Sequence, residues 1–127
     1  MIKNKDIETI LIRDLSKVID VDNIFVSDDI PEGTVTKERV VIIVKRLSVS
    51  DIFSKCYVEV NWCVPDIGNS ANSARLGEVE RFLCLDGIGE YDDTTYRYGV
   101  ESTEVLKSDL KCHYLNTRLL FEILNVE

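Results

Sequence analysis

Cys112 and His113 stand side by side near the end of a 127-residue chain, and a thiol beside an imidazole is the pairing that nucleophilic catalysis uses. The segment that carries them, "CHYLNTRLLFEILN", reads as a long strand with Leu115, Leu119, Phe121 and Ile123 on one face. Neighbours in a strand point to opposite faces, so Cys112 and His113 cannot enter one site together. His113 is the only histidine. A Cys–His dyad would therefore need Cys56, Cys63 or Cys84 to reach it across a sheet, and nothing in the spacing requires that meeting. An ordinary sheet histidine accounts for the residue.

Other chemistry is argued the same way. Four cysteines and one histidine are enough zinc ligands in number, but structural zinc sites assemble from closely spaced pairs on turns. Cys56 and Cys63 fall on opposite faces of one strand, and without a secretory signal all four cysteines read as reduced, small buried apolar thiols. The acidic stretch with Asp86, Glu90, Asp92 and Asp93 has the oxygens a hard cation prefers. It lacks the D-x-[DN]-x-[DN]-G pattern and reads as a solvated loop. With 23 acidic residues, carboxylate pairs arise by accident and single out no glycosidase-type site. Neither the nucleophile-elbow pattern G-x-S-x-G nor a phosphate-binding glycine loop occurs. The expectation is a protein that is not an enzyme and has no cofactor and no metal.

Charge narrows the partners. Fifteen basic against 23 acidic residues leave a net charge of −8, the wrong sign for counterion-driven binding to DNA or RNA and for an anionic membrane surface. No apolar run approaches the roughly 20 residues that span a bilayer, and the N-terminal "MIKNKDIETI" has charges where a signal peptide has an apolar centre.

The elements that would position these residues follow from periodicity. In "NKDIETILIRDLSKVID", residues 4–20, the apolar positions Ile7, Ile10, Leu11, Leu15, Val18 and Ile19 trace one helical stripe, with Asn4 as the expected N-cap. Ile24 to Val26 reads as a short strand, and "DDIPEG" as a turn with Pro31 fixing φ and Gly33 free to go positive. "RVVIIVKR", 39–46, is a β-branched run apolar on both faces and so an interior strand. "LSVSDIFS" is a hairpin-like connection to "KCYVEVNWCV", where Cys56, Val58, Val60, Trp62 and Val64 alternate with Tyr57, Glu59, Asn61 and Cys63 until Pro65 stops the ladder. Ala74 to Leu85 has helical spacing, with Asn69, Asn72 or Ser73 as cap and Gly87 as the residue after the helix. "DGIGEYDDTT" reads as a loop, residues 96–107 as a strand, and "SDLK" as the turn into the last strand.

These elements predict one domain, residues 1–127, of the α+β class. Its sheet is antiparallel or mixed, of about four to five strands, packed by two helices in the order α-(β)-β-β-α-β-β.

The succession of elements also resembles a family. The Pro31–Glu32–Gly33 turn before "ERVVIIVK", the N-x-x-V-P strand end from Asn61 to Pro65, and a last strand that turns from polar to aliphatic after His113 are similar to those of small tail-terminator and tail-completion (head–tail joining) proteins of long-tailed bacteriophages and prophages. Membership implies a non-enzymatic subunit that assembles with itself into a ring, expected to be a hexamer. The ring ends growth of the tail tube and meets the tail-tube protein on one side and a head-connector protein on the other. It also implies a life in the bacterial cytoplasm during assembly and in the virion tail afterwards. A ring needs a heterologous interface, and the sheet edges and the long loops 28–38 and 65–73 are its expected source, by edge pairing or loop insertion. The residues picked for it are Asp28, Pro31, Glu32, Gly33, Asp66, Asn69 and Asn72. Two other readings stay open: a non-catalytic subunit of another bacterial assembly or injection machine, and a small enzyme whose site is scattered through the sequence.

Overall fold

Ile7, Ile10, Leu11 and Leu15 are all buried on one side of the first helix, α1 (Asn4–Leu15). Asp6, in the first turn, accepts the Lys3 N–H at 2.8 Å, so the cap is Lys3 with Asp6 as its partner, not Asn4. The helix also stops earlier than its stripe. At Ser16 the hydroxyl bonds back to the Arg13 carbonyl at 2.6 Å, and such local bonding competes with helix propagation. A 3-10 turn (Val21–Asn23), capped by the Asp20 side chain, then leads into β1 (Ile24–Val26).

The structure, a computed structural model, describes residues 2–49 and 53–124. After β1 come β2 (Arg39–Val44), β3 (Ser48–Val49) and β4 (Phe53–Pro65). The middle of the "LSVSDIFS" connection, residues 50–52, and Asn125 of the expected last strand lie outside the described residues. Helix α2 (Ser73–Phe82) follows, then β5 (Gly87–Tyr91), β6 (Thr94–Ser108) and β7 (Cys112–Leu124). Six strands succeed one another in the order β1-β2-β4-β7-β6-β5, and the two-residue β3 pairs with β4 off this path. β1 runs parallel to β2, while the other pairs are antiparallel. The class is α+β, as expected, but the main path of the sheet has six strands where four to five were predicted, with β3 as a short seventh, and the sheet curls into half a barrel.

Besides the two-residue β3 inside the "LSVSDIFS" connection, the additional strand is the one read as the loop "DGIGEYDDTT". Asp92 and Asp93 both have positive φ, 51° and 57°, and this is the backbone of a two-residue hairpin turn whose hand matches strand twist. Gly87 and Gly89 made the stretch look irregular, yet they belong to β5 because of their partners across the ladder. Gly87 pairs with Tyr98 and Gly89 with Tyr96. A Cβ on Gly87 would sit 2.7 Å from the Tyr98 ring. Gly87 is therefore a strand residue beside an aromatic ring, and α2 ends at Phe82 with Leu83 as its C-cap.

Those two tyrosines lean over the core. Phe121, fully buried, stacks with Tyr96 at 5.3 Å and with Tyr98 at 5.5 Å between ring centroids. The Tyr98 hydroxyl donates to Asp14 at 2.5 Å and Arg13 donates to the Tyr96 hydroxyl at 2.7 Å, which ties the end of α1 to β6. Burial, and then the Asp14 bond, push the Tyr98 phenol far above its ordinary range, so it stays a donor. The main core lies between the two helices and one sheet face: Val40 and Ile42 of β2, Val58 to Val64 alternately on β4, and Leu115, Leu119, Phe121 and Ile123 of β7. Replacing Gly87 by alanine is expected to cost about 1–3 kcal/mol, because the tyrosine ring has to shift. Gly99→Ala, whose new methyl meets nothing within 4 Å, is the control and should stay within about 0.5 kcal/mol in denaturant unfolding.

Candidate functional site: the loop end of the sheet

The register between β4 and β7 decides where the chemistry-bearing residues go. Val64 pairs with His113 and Pro65 with Cys112, so the loop after Pro65 starts beside the β6–β7 turn. The Asp66 N–H bonds to the Lys111 carbonyl at 2.9 Å. Its carboxylate lies 2.7 Å from His113 Nδ1, and both side chains are largely covered, 9% and 18% exposed. A neutral imidazole holding its proton on Nδ1 donates to that carboxylate. Cys112, as alternation requires, is on the other face, in a small cluster with Val35 and Cys63.

The same turn also receives the first long loop. The Val35 N–H bonds to the Leu110 carbonyl at 2.9 Å, and Arg39, nine-tenths buried, donates from Nη1 to the Pro31 carbonyl at 3.2 Å. Gly33 has φ of +94°, the turn conformation expected of it. The loops 27–38 and 66–72 and the turn 109–111 thus form one platform. An open cleft of about 410 Å³ lies at the second loop and the turn, lined by Asp66, Asn69, Lys107 and Lys111 among others.

Each predicted interface residue can now be placed. Asp28, Pro31, Glu32 and Gly33 are exposed on the first loop, and Asn69 is exposed on the second. Asp66 is turned inward onto His113, and Asn72 caps α2 by accepting the Arg75 N–H at 3.2 Å. Asp66 and Asn72 therefore hold the platform's shape while the other five present its surface.

A second group fastens the platform to the core. Glu38 accepts from Trp62 Nε1 at 2.8 Å and from Arg75 Nε and Nη2 at 2.8 and 2.9 Å. Arg75 lies over the Phe82 ring at 5.4 Å, and Phe82 meets Trp62 edge to face at 5.4 Å. Burial works against the Glu38 charge, but the bonds from Arg75 and Trp62 outweigh it and leave the carboxyl below its ordinary 4.5. A lowered carboxyl value stabilises the fold above the ordinary one, and that gain is lost as pH falls through the lowered value. No sequence rule foretold Glu38 or the Asp66–His113 pair. The partners of each come from separate strands or helices, and only the register brings them together.

Cys56 and Cys63 are not poised for attack. Burial pushes Cys56 up to about 11, and burial with the neighbouring Cys112 does the same to Cys63. Cys56, Cys63 and Cys112 are free and buried, as expected, whereas Cys84 is exposed. Among the described residues no three His, Cys, Asp or Glu side chains gather at a metal-sized site. Nor is any described helix long and apolar enough to cross a membrane.

No family model and no curated protein matches the chain. A solved structure of a protein whose name states no activity overlays with a TM-score of 0.62 at 13% identity, covering 95% of this chain and 92% of that one. At that identity the likeness is one of fold.

Proposed function

We propose that the chain is a non-enzymatic subunit of a phage or prophage tail, one that forms a ring, ends growth of the tail tube and joins the tail to the head. The observation that carries this reading is the platform. Two long loops, far apart in sequence, are bonded to one turn and display Asp28, Pro31, Glu32, Gly33 and Asn69 together. A rigid polar loop cluster at one end of a sheet suits contact with a different patch on a neighbouring copy. In this reading the subunit works in the bacterial cytoplasm during assembly and in the virion tail afterwards, meeting a tail-tube protein and a head connector, and the acidic surface keeps passing DNA from adhering.

The test is assembly. Purified protein, alone and with a phage tail-tube protein, should give annular particles in negative-stain micrographs and a matching mass by native mass spectrometry. Glu32→Arg with Asn69→Arg should abolish them and leave the circular dichroism melt unchanged. Asp66 is left alone, since Asp66→Arg would strip His113 of its partner and perturb the fold. Rings that form equally well in the double variant would remove the platform's role, and the lack of any ring with or without the tube protein would overturn the reading.

A further inference from the structure

Strand β6 pairs with β5 from Thr94 to Tyr98 and with β7 from Tyr96 onward, so Tyr96 to Tyr98 have a strand on each side, but from Glu101 to Ser108 its only partner among the described residues is β7. That stretch of eight residues leaves a row of backbone N–H and C=O groups without a strand beside them. Its residues Glu101 to Val105 and Lys107 are exposed. The bulge between Val100 and Ser102 resets the alternation, so Glu101, Thr103, Val105 and Lys107 lie on the helix-bearing face and Ser102, Glu104, Leu106 and Ser108 on the other. Val105, midway along, is 47% exposed.

We propose that this edge is completed by the same edge of a second copy, antiparallel, about a twofold axis beside Val105. The axis must stand normal to the sheet, and residues of the same face then oppose one another. In this register Val105 faces its own counterpart, Thr103 faces Lys107 and Ser102 faces Ser108. Glu101 and Lys107 of opposite copies become diagonal neighbours, about 7–8 Å apart and within reach of long side chains, once on each side of the axis. Neighbouring registers lose this match. An axis at Glu104 sets two carboxylates face to face, and an axis at Leu106 puts Lys107 against Val105 and carries Glu101 out of the ladder. The edge has no proline and a single lysine, few of the devices that keep strand edges apart. Neither other edge offers as much backbone: β1 has three residues and β5 five.

The contact is independent of the ring, and one set of measurements separates them. In a Cys84→Ser background, which removes the exposed thiol, Val105→Cys should yield a disulfide-linked dimer under mild copper–phenanthroline oxidation. Thr103→Cys, four positions from its own counterpart, should not. By sedimentation equilibrium the wild type should dimerise, and Val105→Glu should raise the dissociation constant at least tenfold with an unchanged circular dichroism spectrum. A wild type that stays monomeric at all accessible concentrations overturns the proposal. So does a dimer that ignores Val105→Glu, or cross-linking equally efficient at positions 103 and 105. Rings that assemble without a Val105→Cys cross-link would sink the edge contact and spare the ring; a cross-linked dimer without rings would do the reverse.

Discussion

Trp62→Ala is expected to lower stability by about 3–5 kcal/mol, the range for emptying a fully buried aromatic site. Trp62 is 1% exposed in the last part of β4, and its loss removes more than volume. The indole N–H is one of the three donors to Glu38, and the ring is the surface that Phe82 of α2 meets edge on. Glu38 then keeps only Arg75, and the link from the first loop through Glu38 to the core is gone. Trp62→Phe separates the two contributions. It keeps an aromatic ring for Phe82 but offers no donor, and it should recover most of the packing while still costing about 1–2 kcal/mol. Equal losses in both variants, measured by denaturant unfolding with a common slope, would show that the Glu38 bond carries the whole effect. A loss under 1 kcal/mol for Trp62→Ala would contradict the packing described for this strand.

Phe121→Ala is the second large effect, again about 3–5 kcal/mol, with a fall in Tm of roughly 10–20 °C for a domain of this size. Phe121 is completely buried and stacks on both Tyr96 and Tyr98. Each aromatic pair is worth about 0.5–1.5 kcal/mol beyond the area it covers. The tyrosines also hold Arg13 and Asp14 through their hydroxyls, so the cavity loosens the end of α1 as well as β6. Amide hydrogen exchange should report this as faster exchange in the last turn of α1, while β2, on the far side of β4, keeps its protection. Phe121→Leu, which refills most of the space, should cost less than half as much.

How much of this was legible in the sequence depends on the range over which each decision is made. Alternation in "KCYVEVNWCV" and "CHYLNTRLLFEIL" assigned the faces of Cys56, Val58, Val60, Trp62 and Leu115 to Ile123 correctly, because period two is a property of the strand itself. The stripe of α1 named its buried residues, though its end at Leu15 came from the hydroxyl of Ser16 and not from the stripe. β5 was missed because glycine is read as a loop signal. Its glycines answer to tyrosine rings on the next strand, a relation visible only across the ladder. The platform lies at the same limit. Both loops were singled out by length and composition, but that Val35 and Asp66 bond to adjacent residues of one turn, and that Asp66 faces His113 inward, follows from the β4–β7 register. Of the seven residues picked there, Asp66 and Asn72 have partners within the chain that local patterns do not reveal.

The placement of β7 sets the order in which the molecule can be built. β6 and β7 meet through the turn at Asp109 to Lys111, so this pairing starts at Ser108 and Cys112 and zips outward with little loop entropy. The β4–β7 ladder instead joins positions about fifty residues apart at Pro65 and about seventy apart at Phe53, a closure that has to wait for a preformed template. The hairpin made by the last third of the chain is that template, and until it exists β1 to β4 can pair only among themselves. During synthesis from the N-terminus, the first two-thirds of the polypeptide therefore leave the ribosome before their central partner does.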